Sequence, residues 1–147
     1  MYDITLLVKK LNILIDGKIE ISGDGQSLYA HKDNIVELMQ ILKETFKYIM
    51  LVDITAVDYD DRFEMVYHLL NEDAAILRVK VKLEKCSSAI PSIVSVWRAA
   101  DVQEREVYDM MGIVFEGHNN LKRILCKDDF EGHPLRKDFK LDIVSRF

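Results

Sequence analysis

The chain has 147 residues, 49% of them apolar and 31% charged, with a formal net charge of −5. This length and balance suit one globular domain with a core of its own, and they exclude a disordered or collagenous chain. The longest apolar run, Tyr48 to Val52, is too short for a membrane-spanning helix, and two cysteines, Cys86 and Cys126, offer no disulfide framework.

The acidic start at Met1-Tyr2-Asp3-Ile4 carries no secretory pattern, so the expected compartment is the cytosol. Ile4, Leu7, Val8 and Leu11 recur at helical spacing and predict an amphipathic helix over 3–12. The turn signals Asp16-Gly17 and Gly23-Asp24-Gly25 separate Lys18–Ser22 from Ser27–His31, which read as a hairpin. Asn34, with Glu37 three residues later, reads as the cap of a helix. Its apolar stripe is Ile35, Leu38, Met39, Leu42 and Phe46, reaching about Lys47.

Three strands are expected next. Tyr48–Val57 is nearly all apolar and reads as a central strand buried on both faces. Phe63–Leu70 and Leu77–Leu83 alternate apolar with polar residues, and their short polar connections imply an antiparallel meander. Pro91 suits the first turn of a helix to about Ala100. Asp101, with Glu104 three later, reads as the cap of a second helix closed by Gly112.

Beyond Gly112 the periodicity fades into charges and isolated large apolar residues. Such a stretch is too apolar for plain disorder and too long for an ordinary loop, so an extended arm lying on another protein is expected. The predicted architecture is α+β. A single domain holds a mixed, largely antiparallel sheet covered by helices over 1–112, and residues 113–147 form an extended C-terminal interaction arm of the same domain. Charge divides the same way: residues 1–117 sum to −7 and the last thirty to +2. An acidic body argues against a nucleic-acid partner.

No stretch carries an unambiguous catalytic motif. His118, Cys126, Asp128, Asp129 and His133 are competent metal ligands, but without finger-type or H-E-x-x-H spacing. A small stand-alone metal enzyme using His118, Cys126 and His133 stays open as a different class of function. On the helix before Gly112, Arg105 lies four residues from both Asp101 and Asp109, a spacing that lets one guanidinium bridge two carboxylates.

The stretches Glu104-Arg105-Glu106-Val107-Tyr108-Asp109-Met110-Met111-Gly112-Ile113-Val114-Phe115-Glu116-Gly117-His118, Leu121-Lys122-Arg123-Ile124-Leu125 and Phe130-Glu131-Gly132-His133-Pro134-Leu135-Arg136-Lys137-Asp138-Phe139 together carry a specific resemblance. They resemble the 30-kDa subunit family of NADH-quinone oxidoreductase, respiratory complex I, and the related subunits of membrane-bound energy-converting hydrogenases. Leu51–Tyr59 and Val66–Leu70 are similar to the family's central strands, so the likeness runs from about residue 28 onward. Asn119 stands where the family usually has proline after Gly117-His118.

The resemblance implies a non-catalytic subunit with no cofactor of its own. Iron–sulfur clusters, flavin or a nickel–iron site are then expected only in partner subunits. The implied partners are a large hydrogenase-like subunit and a small iron–sulfur subunit, in a hetero-oligomer held peripherally at the cytoplasmic side of the membrane. It also implies subunit-interface roles for Glu104, Arg105, Glu106, Tyr108, Asp109, Gly112, Gly117, His118, Arg123, Gly132, His133, Pro134, Arg136, Lys137 and Asp138.

Overall fold

The computed structural model describes residues 3–141. Helix α1 (Ile4–Leu14) starts at Asp3, whose carboxylate accepts the amides of Thr5 and Leu6, and it buries Leu7, Val8 and Leu11. The expected hairpin is present as β1 (Glu20–Ile21) and β2 (Ser27–Ala30), paired antiparallel. Helix α2 (Ile35–Glu44) presents Ile35, Leu38, Met39 and Leu42 to the core. Then follow β3 (Tyr48–Asp58), β4 (Arg62–Asn71), β5 (Ile76–Glu84), β6 (Ala89–Pro91), α3 (Ala100–Met111) and β7 (Val114–Glu116).

Five strands form one sheet in the order β1-β2-β5-β4-β3, antiparallel at every step except β2 against β5. The fold is therefore α+β with a mixed, largely antiparallel sheet, as the sequence implies. Register places Phe63 opposite Leu83, Met65 opposite Val81, Tyr67 opposite Val79 and Leu69 opposite Leu77. These residues join Leu11, Leu38, Met39, Leu42, Val107 and Met111 in a single core cluster, so all three helices contribute to burying this face. Glu64 and Val66 alternate onto the opposite face, across from Lys82 and Lys80.

Three expectations are corrected. Strand β3 is an edge, not a centre. Register shifts between Tyr48 and Met50 and between Leu51 and Asp53 break its alternation, so Tyr48, Leu51 and Ile54 are buried while Ile49, Met50 and Val52 are exposed. Bulges of this kind twist an edge away from further pairing.

No helix runs from Pro91 to Ala100. Pro91 ends β6, which pairs parallel with β7, and turns fill 92–99. A two-stranded sheet is all edge, where the missing proline N–H costs nothing.

The expected caps also differ. Asn34 makes no capping bond; its side chain lies over Gly17, where a Cβ would come within 1.7 Å of it. Ala99, not Asp101, occupies the cap position of α3.

Candidate interaction surface

Helix α3 organises the region that the sequence singles out. Ala100, Glu104, Val107 and Met111 recur on its buried face, and Asp109 is buried on a neighbouring stripe. Gly112 ends the helix at φ +73, a left-handed position that glycine occupies without strain. A Cβ there would also lie 2.6 Å from the His133 ring, so a side chain is excluded twice.

Two buried carboxylates face opposite ends of α3. At the N-terminal end, Glu104 accepts the Ser92 hydroxyl at 2.6 Å and the Ile93 amide at 2.8 Å. It thereby holds the turn where the sequence predicted a helix. Burial raises the Glu104 carboxyl above its ordinary value, against the opposing pull of Ser92, Ile93 and His118. The Tyr67 hydroxyl, buried in β4, is pushed up by burial and by the Glu104 charge. His118 sits beside them, its Nε2 2.9 Å from Asp101 Oδ1 and 3.9 Å from Glu104 Oε2.

At the other end, one Asp109 oxygen pairs with Arg123 at 2.8 Å. The other accepts three successive amides, Ile124 at 3.1 Å, Leu125 at 2.7 Å and Cys126 at 2.9 Å. Burial alone would raise this carboxyl. The amides and the guanidinium override it and hold the group well below the usual carboxylate range. Arg123 also donates to the Gly132 carbonyl at 2.8 Å and lies over the Phe130 ring.

From Gly117 to Leu141 the chain contains neither helix nor strand, yet it is tied down at several points. Arg105 does not bridge Asp101 and Asp109. It donates instead to the carbonyls of Lys122 and Arg123, while the two acids take His118 and Arg123 as partners. His133 Nδ1 lies 2.9 Å from the Asp109 carbonyl, and its ring meets Tyr108 edge-on. After Pro134, the Leu135 amide donates to Met110 O. The Lys137 amide reaches Asp58 Oδ2 at 2.8 Å, and Arg136 lies over Phe63, which anchors the segment to the β3–β4 hairpin. Gly132 at φ +92 lets Phe130 and Phe139 stack. The last six residues of the arm lie outside the described residues.

The predicted site residues thus divide by direction. Glu104, Asp109, Arg123, His118 and His133 turn inward and hold the segment in place. Glu106, Lys137 and Asp138 are exposed, and so are Ile124, Leu125, Phe130, Leu135 and Leu141 on the same segment. Arg136 is half-buried on Phe63 and pairs with Asp138 at 3.3 Å. Sequence reasoning missed Ser92 and Asp58 as partners and gave Asp101 to Arg105 instead of His118, since none of the three stands at a helical or hairpin spacing from the group it meets.

His118 and His133 contact residues eight apart on α3, separated by about 12 Å of helix rise. They do not converge with Cys126 on a common point. Among the described residues no group of three or more His, Cys, Asp and Glu is arranged to hold a metal ion. No described helix is long and apolar enough to cross a membrane.

Residues 28–143 match the family described as respiratory-chain NADH dehydrogenase, 30 Kd subunit. An NADH-quinone oxidoreductase subunit of Moorella thermoacetica is 53% identical over 129 residues, covering 86% of this chain and 87% of the relative. The protein of the same name from Citrifermentans bemidjiense is 48% identical over 121 residues, covering 78% and 74%. Among solved structures, the trypsin-resistant fragment (1-134) of Nqo5 superposes with a TM-score of 0.65 at 27% identity, over 82% of this chain and all of the fragment. A chain of the membrane-bound sulfane sulfur reductase, an archaeal respiratory membrane complex, gives 0.78 at 28% identity, over 96% and 86%.

Proposed function

The chain belongs to the family of the 30-kDa subunit of the respiratory-chain NADH dehydrogenase, and on that premise we propose that it is a non-catalytic core subunit of the peripheral arm of a complex I-like oxidoreductase. It docks on the large hydrogenase-like subunit and beside the small iron–sulfur subunit. In that place it supports electron transfer to quinone coupled to ion translocation. Flavin, iron–sulfur clusters or a nickel–iron centre belong to the partners, and the complex holds the chain at the cytoplasmic side of the membrane.

One observation carries the docking role. Leu125, Leu135 and Leu141 are each at least 60% exposed on a segment whose backbone is held by Asp109, Asp58 and Met110. A held segment presents its apolar side chains at little further cost in conformational entropy when a partner covers them. Glu106, Lys137 and Asp138 form the charged rim of that surface. Glu104, Asp109, Arg123, His118 and His133 act through it by positioning.

The test is purification of the tagged chain from gently solubilised membranes of its host. A large assembly containing the hydrogenase-like subunit is expected, and the double variant Leu125→Asp/Leu135→Asp should lose it while the free chain keeps its melting temperature. Retention of the assembly by that variant would refute this surface. A second reading is the equivalent subunit of a related membrane-bound complex, favoured by the 0.78 TM-score against the sulfane sulfur reductase chain. Co-purification of nicotinamide-binding subunits selects the first reading, and their absence beside a retained large subunit selects the second.

A further inference from the structure

The three helices bury one face of the sheet and leave the other face of β3, β4 and β5 outward. Register sets the outward side chains in cross-strand rows. The first row is Met50, Leu70 and Ile76, and the second is Asp53, His68 and Arg78. Met50 is 53% exposed and Ile76 62%, with Leu70 half-buried between them. Asp53 is exposed and has no ion pair among the described residues. Arg78 keeps 41% of its side chain exposed and reaches Asp24 only at 3.8 Å.

These rows are their own complement. Strands β3 and β5 flank β4 on opposite sides, so a two-fold axis along β4 lays β3 of one copy over β5 of the other at the same level. Met50 then meets Ile76 of the second copy, Leu70 meets Leu70, and Asp53 meets Arg78. An axis across the strands pairs like charges instead, Arg78 over Arg78 at the second row or over Lys80 midway along the face. Shape agrees with charge. Ile76, Arg78 and His68 line a concavity that Gly25 and Gln26 of the β1–β2 turn close. On the opposite side β3 is the edge strand, and its bulges turn Ile49, Met50 and Val52 outward. Each copy offers one trough and one projecting edge, and a single two-fold fills both.

We propose that this face of β3, β4 and β5 is an interface with a second copy of the chain, formed while the chain is free of its assembly. The two sheets stack in the aligned manner, about 10 Å apart. Three strands make a small footprint for a permanent complex, so the dimer is weak, with a dissociation constant of roughly 10 µM. None of these residues belongs to the segment from Gly117 to Leu141 that carries the docking role. The two proposals therefore stand or fall separately.

The test is sedimentation equilibrium of the full chain from about 1 to 200 µM, where the mass should rise from monomer towards dimer. Asp53→Arg and Arg78→Asp each set like charges across the axis and should weaken association at least about tenfold. Combined, they restore opposite charges and should recover association to within about threefold of the parent. Ile76→Lys should abolish the dimer while the dilute chain keeps its melting temperature. Leu125→Asp/Leu135→Asp should leave the dimer intact. A chain that stays monomeric throughout, or a combined variant no better than either single one, would overturn the proposal. A monomer whose face is shielded only within the assembly gives that face to a partner subunit and overturns it equally.

Discussion

Replacing Asp109 asks how much of the fold between Leu121 and Leu135 depends on one carboxylate. In Asp109→Ala, Arg123 loses its 2.8 Å ion pair, and the amides of Ile124, Leu125 and Cys126 lose a common acceptor. Counted singly at about 1.5–3 kcal/mol each, these charge-assisted bonds would sum to roughly 6–12 kcal/mol, which overstates the loss. The freed amides belong to a surface segment where water can replace the carboxylate, and Arg123 keeps its bond to the Gly132 carbonyl. Removing one partner of a buried pair costs about 3–5 kcal/mol, and these compensations favour the lower end, about 3 kcal/mol. For a chain of this size that lowers Tm by roughly 10 °C. Asp109→Asn keeps an oxygen for the three amides but loses the charge and sets its NH2 against the Arg123 guanidinium, so its stability should fall between those of the parent and the alanine variant. Urea unfolding of both variants supplies the stabilities, and amide exchange at 124–126 supplies the location. An alanine variant less than about 1 kcal/mol below the parent, or unchanged exchange at those amides, would refute the assignment of Asp109 as the anchor.

Gly112→Ala should cost about 2 kcal/mol, from a left-handed backbone at φ +73 and a methyl forced onto the His133 ring, measurable as a lowered urea midpoint. Stability should also fall in acid. Burial tends to raise the Asp109 carboxyl, but its amides and Arg123 hold it below its ordinary value of 3.8. Asp24 is held down too, by the Gln26 amide and then the Ser27 hydroxyl. A carboxyl depressed on folding contributes stability above its unfolded pKa and loses it as pH drops through the folded one. Tm should therefore decline below pH about 4, and Asp109→Asn should decline less steeply; parallel declines would put the acid sensitivity elsewhere.

Local patterning made most of the secondary structure legible. Strand β5 alternates strictly and β4 does so apart from Val66 and Leu70, so one register buries Phe63, Met65, Tyr67 and Leu69 with Leu77, Val79, Val81 and Leu83. The stripe of α2 and the glycine closing α3 are likewise visible in the chain itself. The apolar run of β3 misled because hydrophobicity does not report which neighbours a strand has. Two bulges placed Ile49, Met50 and Val52 outward at an edge. The helix expected after Pro91 lost to a tertiary partner, for Glu104 reaches back across twelve residues to hold Ser92.

The division is sharpest around α3. Family and α+β class could be read along the chain, because motif order and periodicity are properties of the chain. How the residues around α3 pair emerged with folding alone. Helical spacing puts Arg105 within reach of Asp101 and Asp109, but reach is not occupancy. Both carboxylates are taken by groups from the returning segment, His118 by one, Arg123 and three backbone amides by the other. A buried carboxylate is stabilised by the set of donors that satisfies it best, and only the folded chain brings that set together.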